Sequence, residues 1–331
     1  MDGGIIHDGA HYRVVYRRVG DDPFTVVHFE SLQDAPALDT PPGAQDFFLR
    51  RGVNFIGVTP ARNDWYQHDE INAALAAIRA ATPGACLAGY GGSMGAYAAV
   101  NFANDLGLAT LLAICPQYSL QPAKVPFERR WLTEAAAIEF RNDRIDAPPR
   151  LWRGFLMFDP QTEDRLHAEA ILAHHDLTPL PIRFTGHEQL RFLTQTGLSG
   201  DVILGLLRGE MDRAEVVRRV RVARRESNIV WHGVAKLKIR RGEIASAARA
   251  MDRAEEAPLP DPFDAAVTRG KILRSVGRRQ EAEALVAAFL ANPATAPQAR
   301  WRLDHWAEAD RAWAARTPPL PWWRRLLERV G

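Results

Sequence analysis

Apolar, β-rich runs alternate with helical patterns from about residue 11 to residue 186, and this alternation constrains the fold more than any other feature of the sequence. Such an alternation predicts an α/β fold with a mostly parallel sheet that is covered by helices on both faces. Ligands of these folds collect at the carboxyl ends of the strands, so we expect functional residues just after each run. The runs span residues 13–17, 24–29, 54–58, 86–90, 108–115, 155–158 and 180–184.

A serine lies between the fourth run and an alanine-rich helical pattern, in the sequence Gly91-x-Ser93-x-Gly95. A serine on a sharp strand-to-helix turn needs small neighbours, because its backbone is strained and the helix must pack close to the strand. Gly92 and Ala96 add to that space, and the helix N-terminus directs free N–H groups towards a reacting carbonyl. The motif predicts Ser93 as a nucleophile. The alternative is a glycine-rich turn that only connects strand and helix.

On this motif and its setting, residues 11 to about 195 resemble the α/β-hydrolase superfamily. The resemblance implies a nucleophile, an acid and a histidine in that order, with the acid after the next-but-one strand and the histidine after the last. Asp159 and His187 stand at those positions. We expect His187 to take the proton of Ser93, and Asp159 to hold the imidazole in its useful tautomer.

Alternatives remain open for both partners of Ser93. Asp159 could be a turn carboxylate or a helix N-cap beside Pro160, which would leave the role of the acid to Asp164 or Glu163. His187 could be an ordinary surface histidine. The weaker histidine candidates lie in a polar, helix-like stretch and are His174 and His175.

An oxyanion hole requires two backbone donors. The resemblance implies that the N–H of Met94 is one of them, and that the second comes from the loop after the run at residues 24–29. We expect Phe29 or Glu30 in that role. The loop departs from the family pattern, because His28-Phe29-Glu30-Ser31 lacks the His-Gly or Gly-Gly that is often found there.

Residues 62–67 and 116–119 also follow predicted strands, and we expect both segments near the mouth of the site. Residues 118–149 form an insertion where these enzymes carry a lid. Arginine and tryptophan side chains here suit an anionic or sugar-like group, although structural salt bridges and aromatic packing explain them equally well. The expected substrate-binding residues are Arg62, Trp65, Tyr118, Arg129 and Trp131, with Arg130 beside them.

From about residue 188 the strand pattern ends and a repeated Gly-x4-Ala pattern begins. Its copies start at Gly209, Gly242 and Gly277, and the spacing of 33 and then 35 residues resembles tetratricopeptide repeats. We therefore expect an α/β-hydrolase domain over residues 1–195 and an all-α repeat domain over 196–316. A generic alanine-rich bundle is the alternative. Stacked helix pairs of this kind commonly bind a protein or peptide partner, and we expect a Trp- and Arg-rich capping tail over 317–331.

Charge and composition bear on partners and location. The net charge is about −6 before residue 199 and about +8 after it, but arginine alternates with acidic residues as on solvated helix faces. We therefore predict no nucleic-acid partner. The sequence has no apolar run long enough for a transmembrane segment and no signal-peptide pattern. Because Cys86 and Cys115 lie in apolar runs, we expect buried thiols, a reducing compartment and a cytoplasmic protein.

Histidines without ligand spacing and a glycine-rich turn without a P-loop lysine predict neither a metal nor a cofactor. The sequence as a whole predicts a serine hydrolase that cleaves an ester, thioester or amide of a small-molecule or acyl-group substrate through an acyl-Ser93 intermediate. Acyl transfer to an acceptor other than water would use the same groups. The alternative of a different class is a hydrolase-like scaffold without activity, whose repeats bind a partner protein.

Overall fold

The structure is a computed structural model that describes residues 3–148, 150–151, 153–296, 299–300 and 303. The tail expected at 317–331 lies outside these residues. The chain forms two compact units: Met1–Phe127 with Thr133–Val222, and Glu128–Leu132 with Ala223–Gly331. The first unit thus extends beyond the boundary expected at residue 195.

Within the described residues, eight strands form one sheet in the order β1-β2-β4-β3-β5-β6-β7-β8. The pairs β1–β2 and β2–β4 are antiparallel, and every other pair is parallel. This is the strand order of the α/β-hydrolase fold, so the predicted fold class is confirmed. The strands are β1 Ile5–Asp8, β2 Tyr12–Arg17, β3 Phe24–Phe29, β4 Asn54–Pro60, β5 Cys86–Gly92, β6 Thr110–Ile114, β7 Arg153–Phe158 and β8 Thr178–Pro181.

The predicted runs match the strands closely in the middle of the sheet and poorly at its edges. Central strands are buried on both faces and therefore read as continuous apolar runs. The edge strand β1 gives no such signal, because its four residues are exposed or half-buried. The edge strand β8 ends at Pro181 rather than at residue 184. Proline lacks an N–H donor and is tolerated at edges, where it limits further pairing.

Helices cover the sheet in the first unit. The predicted stripe of α2 is confirmed, since Ile71, Leu75 and Ile78 are all buried. Helix α8 belongs to this unit because it packs on β6, where the Thr110 hydroxyl donates to the Leu207 carbonyl at 2.9 Å. The helices are α1 Gln45–Leu49, α2 Ile71–Ala81, α3 Met94–Asn101, α4 Ala103–Leu106, α5 Leu132–Ala137, α6 Asp164–His174, α7 Gln189–Gln195, α8 Ser199–Arg208 and α9 Arg213–Ala223, of which α5 and α9 each cross a unit boundary.

The second unit contains α10 Asn228–Arg240, α11 Ile244–Ala254, α12 Pro262–Ser275 and α13 Arg279–Ala291. Helix α10 packs against α11, and α12 packs against α13. Gly242 and Gly277 lie in the turns inside these pairs, at φ of 72° and 85°. The repeat glycines therefore mark helix–turn–helix corners, whereas membership of the tetratricopeptide family and a bound partner remain predictions.

The two cysteines differ from the expectation that both are buried. Cys115 is buried, but Cys86, the first residue of β5, is exposed.

The part of the chain that the structure describes has no helix with both the length and the apolar character needed to cross a bilayer.

Candidate active site

Ser93 lies on the turn between β5 and α3 with φ of 50° and ψ of −122°. Positive φ in a residue with a side chain is strained, and strain of this kind is typical of functional turns. The turn is held in place because the Ser93 N–H donates to the Ile114 carbonyl at 2.9 Å, while the Ser93 carbonyl accepts from the Tyr97 N–H at 3.0 Å. Ser93 therefore lies at the carboxyl end of β5, at the edge of the sheet where ligands of α/β folds collect.

Two positions near Ser93 must be glycine, because neighbouring backbone atoms leave no space for a side chain. A Cβ on Gly91 would lie 2.4 Å from the backbone of Gly95, and a Cβ on Gly95 would lie 2.0 Å from the carbonyl oxygen of Phe29. No side chain fits at these separations. The first turn of α3 can therefore lie directly against the ends of β5 and β3 only because both positions are glycine.

His187 connects Ser93 to a buried carboxylate. Its Nε2 lies 2.9 Å from the Ser93 hydroxyl oxygen, and its Nδ1 lies 2.9 Å from Oδ2 of Asp164. The side chain of Asp164 is 1% exposed, while that of His187 is 30% exposed. The imidazole thus has one nitrogen on a carboxylate and the other on the serine, which is the arrangement of a general base.

The carboxylate on His187 is Asp164 and not Asp159, which corrects the first choice from the sequence. Asp159 directly follows β7, and its two oxygens accept from the N–H groups of Gln161 and Gly186, both at 2.8 Å. Burial raises the pKa of Asp159 above its ordinary value. Asp159 therefore holds the loop that carries His187, while the start of α6 brings Asp164 to the imidazole.

The other acid and histidine candidates lie elsewhere. Glu163, at the N-cap of α6, is exposed. The imidazole of His175 is buried with Nε2 at 2.5 Å from the Ile145 carbonyl oxygen, and the ring of His174 stacks on Tyr118. Each of these histidines thus has a packing role away from Ser93.

The expected oxyanion donors stand on either side of the turn. Met94 is the first residue of α3 and is fully buried. Phe29 is a sheet position paired with Val58 and Gly91, and its carbonyl faces Gly95. The Glu30 N–H is already used, because it donates to the Val58 carbonyl at 3.2 Å.

Ser31, the next residue in the loop after β3, is tied to the elbow. Its hydroxyl donates to the Gly92 carbonyl at 2.8 Å. This contact joins the loop after β3 to the residue that precedes Ser93. Because the Glu30 N–H is used at the end of the sheet, Ser31 joins Phe29 as a candidate for the second donor.

The expected substrate-binding residues differ in their exposure and in the unit to which they belong. Arg62 is exposed, but Trp65 is 0% and Tyr118 6% exposed, so neither ring offers an open face. Tyr118 is held by a hydrogen bond from its hydroxyl to Asp146 and by its stack on His174. The two remaining residues, Arg129 and Trp131, belong to the segment Glu128–Leu132 of the second unit.

Part of the segment expected as a lid is anchored. The N–H of Asn142 donates to Oε1 of Gln67 at 2.9 Å, and its carbonyl accepts from the Asn101 amide at 2.8 Å. Asn142 and Ile145 are both buried. Residues 142–145 are therefore a fixed part of the first unit.

Gln117 contacts the nucleophile, although sequence reasoning placed its segment only near the mouth of the site. Its Nε2 lies 3.3 Å from the Ser93 hydroxyl oxygen, and its Oε1 accepts from the indole N–H of Trp65 at 3.1 Å. Gln117 is fully buried. The only signal in the sequence was its place just after β6, which is where an α/β sheet presents its ligand-binding residues.

Among the residues that the structure describes, two groups have the donor atoms of a metal site, although the sequence predicts no metal. His11, His68 and Glu70 come together near β1, and Cys115 lies with Asp164 and His187. The Glu70 carboxylate already accepts from three backbone N–H groups, and Asp164 is engaged with His187. Both carboxylates are thus committed to protein donors.

No protein-family model matches the sequence, and no curated protein matches it. Among solved structures, it is similar to the capsule O-acetyltransferase of Neisseria meningitidis serogroup A, with 14% identity, a TM-score of 0.41, and coverage of 58% of this chain and 92% of that chain. It is also similar to an α/β serine hydrolase without a lid from Xanthomonas campestris, with 18% identity, a TM-score of 0.38, and coverage of 60% and 88%.

A third similar structure is an esterase of Pyrococcus furiosus, with 12% identity, a TM-score of 0.38, and coverage of 59% of this chain and 87% of that chain. These likenesses are distant. The α/β-hydrolase fold of this chain therefore rests on its own strand order.

Proposed function

We propose that the protein is a serine hydrolase that cleaves an ester, thioester or amide through an acyl-Ser93 intermediate. The observation that carries the proposal is the continuous set of contacts from the Ser93 hydroxyl through His187 to Asp164, with 2.9 Å at each step. The strained backbone of Ser93 supports it, because a turn that only connects strand and helix has no need of a residue at this φ.

In the proposed reaction, the Ser93 oxygen attacks the acyl carbon while its proton passes to Nε2 of His187. The N–H of Met94 and a second N–H from the loop after β3, that of Phe29 or Ser31, stabilise the oxyanion that forms. His187 then gives the proton to the leaving group, which departs as an alcohol, thiol or amine. A water molecule then attacks the acyl carbon and gives its proton to His187. His187 returns a proton to the Ser93 oxygen, which leaves the acyl group as the free serine.

Asp164 acts through His187. Its carboxylate accepts a hydrogen bond from the Nδ1–H, so the imidazole keeps its proton on Nδ1, and Nε2 is unprotonated and ready to take the proton of Ser93. It also offsets the positive charge that His187 carries while it holds two protons. Asp159 has an indirect part, since it fixes the loop on which His187 lies.

Hydrolysis of 4-nitrophenyl acetate by the full chain tests the proposal. Ser93→Ala should abolish turnover, and His187→Ala should lower kcat by several orders of magnitude. His174→Ala is the matched control, because it removes an imidazole that packs on Tyr118, and it should change kcat little. A folded Ser93→Ala protein that retains wild-type turnover would contradict the proposal. A folded wild-type protein without turnover would favour a hydrolase-like scaffold.

A further inference from the structure

We propose that Trp65 and Gln117 set the direction of the hydrogen bonds at Ser93, so that the seryl proton points to His187 before any substrate arrives. This inference rests on the proposed function, because it concerns how the nucleophile is prepared. It makes Gln117 part of the catalytic site through direct contact with the reacting oxygen, and Trp65 a positioning residue that acts through Gln117.

The Trp65 indole determines which atom of the Gln117 amide faces it. An indole N–H can only donate, so the atom of Gln117 that faces it at 3.1 Å must be the amide oxygen. The assignment of oxygen and nitrogen in the Gln117 amide thus follows from its partner. Both side chains are 0% exposed, so their contact lies away from bulk solvent.

The orientation of the Gln117 amide in turn determines the hydrogen bonds of Ser93. With its oxygen on Trp65, Gln117 must present its NH2 group to the Ser93 oxygen, 3.3 Å away. A hydroxyl has one proton, and here its oxygen accepts from Gln117. Nε2 of His187 lies 2.9 Å from the same oxygen and is in position to accept that proton.

Asp164, at the other end of this series of hydrogen bonds, requires the same donor-to-acceptor order. Nδ1 of His187 lies on the carboxylate of Asp164, which in its ionised form can only accept. Nδ1 therefore carries the imidazole proton and Nε2 is free of one. A donor at one end, Trp65, and an acceptor at the other, Asp164, thus impose one order on four successive hydrogen bonds.

The backbone around Trp65 is built to hold the indole in this place. Trp65 and Tyr66 have φ of 50° and 58°, which is costly for large side chains. The Tyr66 N–H donates to Asp64 at 2.9 Å, and the Gln67 amide donates to the Trp65 carbonyl at 3.0 Å. Two consecutive strained residues fixed by such contacts are typical of a position that function requires.

The arrangement has two consequences for reactivity. The seryl proton is kept from other directions, so less reorganisation precedes its transfer to His187. The NH2 group of Gln117 also faces the oxygen that gains negative charge as the proton leaves, and again when this oxygen becomes the leaving group in deacylation. Both effects should raise the rate at which Ser93 reacts.

The test is the second-order rate at which a fluorophosphonate modifies Ser93 in the full chain. In that reaction the serine oxygen bonds to phosphorus, fluoride leaves, and the seryl proton passes to His187. Gln117→Glu keeps an acceptor for Trp65 but gives Ser93 a second acceptor in place of a donor, so the rate should fall about 10²-fold. Gln117→Met removes both bonds at similar volume and should cost about tenfold.

Trp65→Phe should also cost about tenfold, because the Gln117 amide is then free to turn its oxygen to Ser93. In the Gln117→Met background the same change should cost nothing further, whereas a purely structural effect would multiply with it. The matched control is Trp231→Phe, which removes an indole N–H bonded to the Arg225 carbonyl in the second unit. That variant should react at the wild-type rate.

Equal rates for Gln117→Glu, Gln117→Met and the wild type would overturn the inference, and so would losses that multiply in the double variant. The comparison of the two Gln117 variants decides the matter even where Trp65→Phe does not fold. Failure of the proposed function looks different, since the wild-type protein itself would then not be modified at Ser93.

Discussion

Glycines shape the turns of both units, but for different physical reasons. On either side of Ser93, Gly91 at the end of β5 and Gly95 at the start of α3 leave no space for a side chain, because a Cβ would meet backbone atoms at 2.4 Å and 2.0 Å. In the helical unit, Gly242 and Gly277 have nothing within 4 Å of a Cβ, and only their positive φ favours glycine. The first pair reflects a close approach of backbones, and the second pair reflects a sharp corner.

This difference explains what each glycine pattern reveals about function. Crowded glycines are needed where a helix must lie against strand ends, and here that closeness brings Ser93 beside the loop after β3. Corner glycines are needed wherever a helix ends in a left-handed residue, whatever the protein does. The first pattern thus points to a site, whereas the second shows only a helix–turn–helix period.

The largest effect should come from the acid beside the crowded turn. Asp164→Asn should lower kcat/KM for 4-nitrophenyl acetate about 10⁴-fold, because the amide no longer selects the useful tautomer of His187. Asp159→Asn should cost far less, since an amide oxygen can still accept one of the two loop N–H groups that Asp159 holds. If Asp159→Asn were the more damaging change, Asp159 rather than Asp164 would be the acid.

The next largest effect should be a loss of stability in a variant of Gly95. Gly95→Ala should lower the free energy of unfolding by about 3 kcal/mol, because the methyl group must displace the carbonyl of Phe29. The measurement is the urea midpoint of the full chain. Gly20→Ala is the matched control, since a Cβ there has nothing within 4 Å, and it should leave the midpoint nearly unchanged. Equal midpoints for both variants would remove the distinction between crowded and open glycines.

A buried histidine should make the helical unit sensitive to acid. Burial lowers the pKa of His232 to about 4, whereas the unfolded chain has a histidine pKa of about 6.5. Between these values the unfolded chain binds the extra proton, so the free energy of unfolding should fall by about 3 kcal/mol as the pH drops from 6.5 to 4. Hydrogen exchange of α10 amides measures this loss directly.

The control for the acid effect is His232→Gln, which can still donate to the Thr268 hydroxyl, 3.0 Å from Nε2 in the present chain, but does not titrate. Its α10 amides should show a smaller dependence on pH. The same dependence in both proteins would assign the acid sensitivity to other groups.

The smallest effect should appear at a corner glycine. Gly242→Ala should cost about 1 kcal/mol, the strain of a left-handed alanine, because there is ample space for the methyl group. Gly242→Asn should cost less, since asparagine tolerates this conformation. A larger loss than that of Gly95→Ala would reverse the comparison between the two kinds of glycine.

The sequence predicts those parts of the molecule that depend on local patterns. Continuous apolar runs reveal the central strands, and the glycines around Ser93 reveal the turn. The short edge strand β1 has no such pattern. The end of the run at residue 184 was misleading, because Phe184 follows two prolines of an edge strand and has φ of 71°.

The parts that sequence could not decide depend on which side chains meet in space. Asp159 and Asp164 both follow β7, and only the path of the chain into α6 determines which of them reaches His187. Gln117 belongs to no motif, and its contact with Ser93 arises because β6 lies next to β5 in the sheet. Order along the chain predicts the neighbourhood of such residues but not their hydrogen bonds.

The central claim is that Ser93 is a nucleophile activated by His187, and mass-spectrometric mapping of fluorophosphonate modification tests it most directly. The account predicts one phosphonylated peptide that contains Ser93, with modification reduced by orders of magnitude in His187→Ala and unchanged in His174→Ala. Modification of the wild type at another serine, or none at Ser93 in the folded protein, would contradict it.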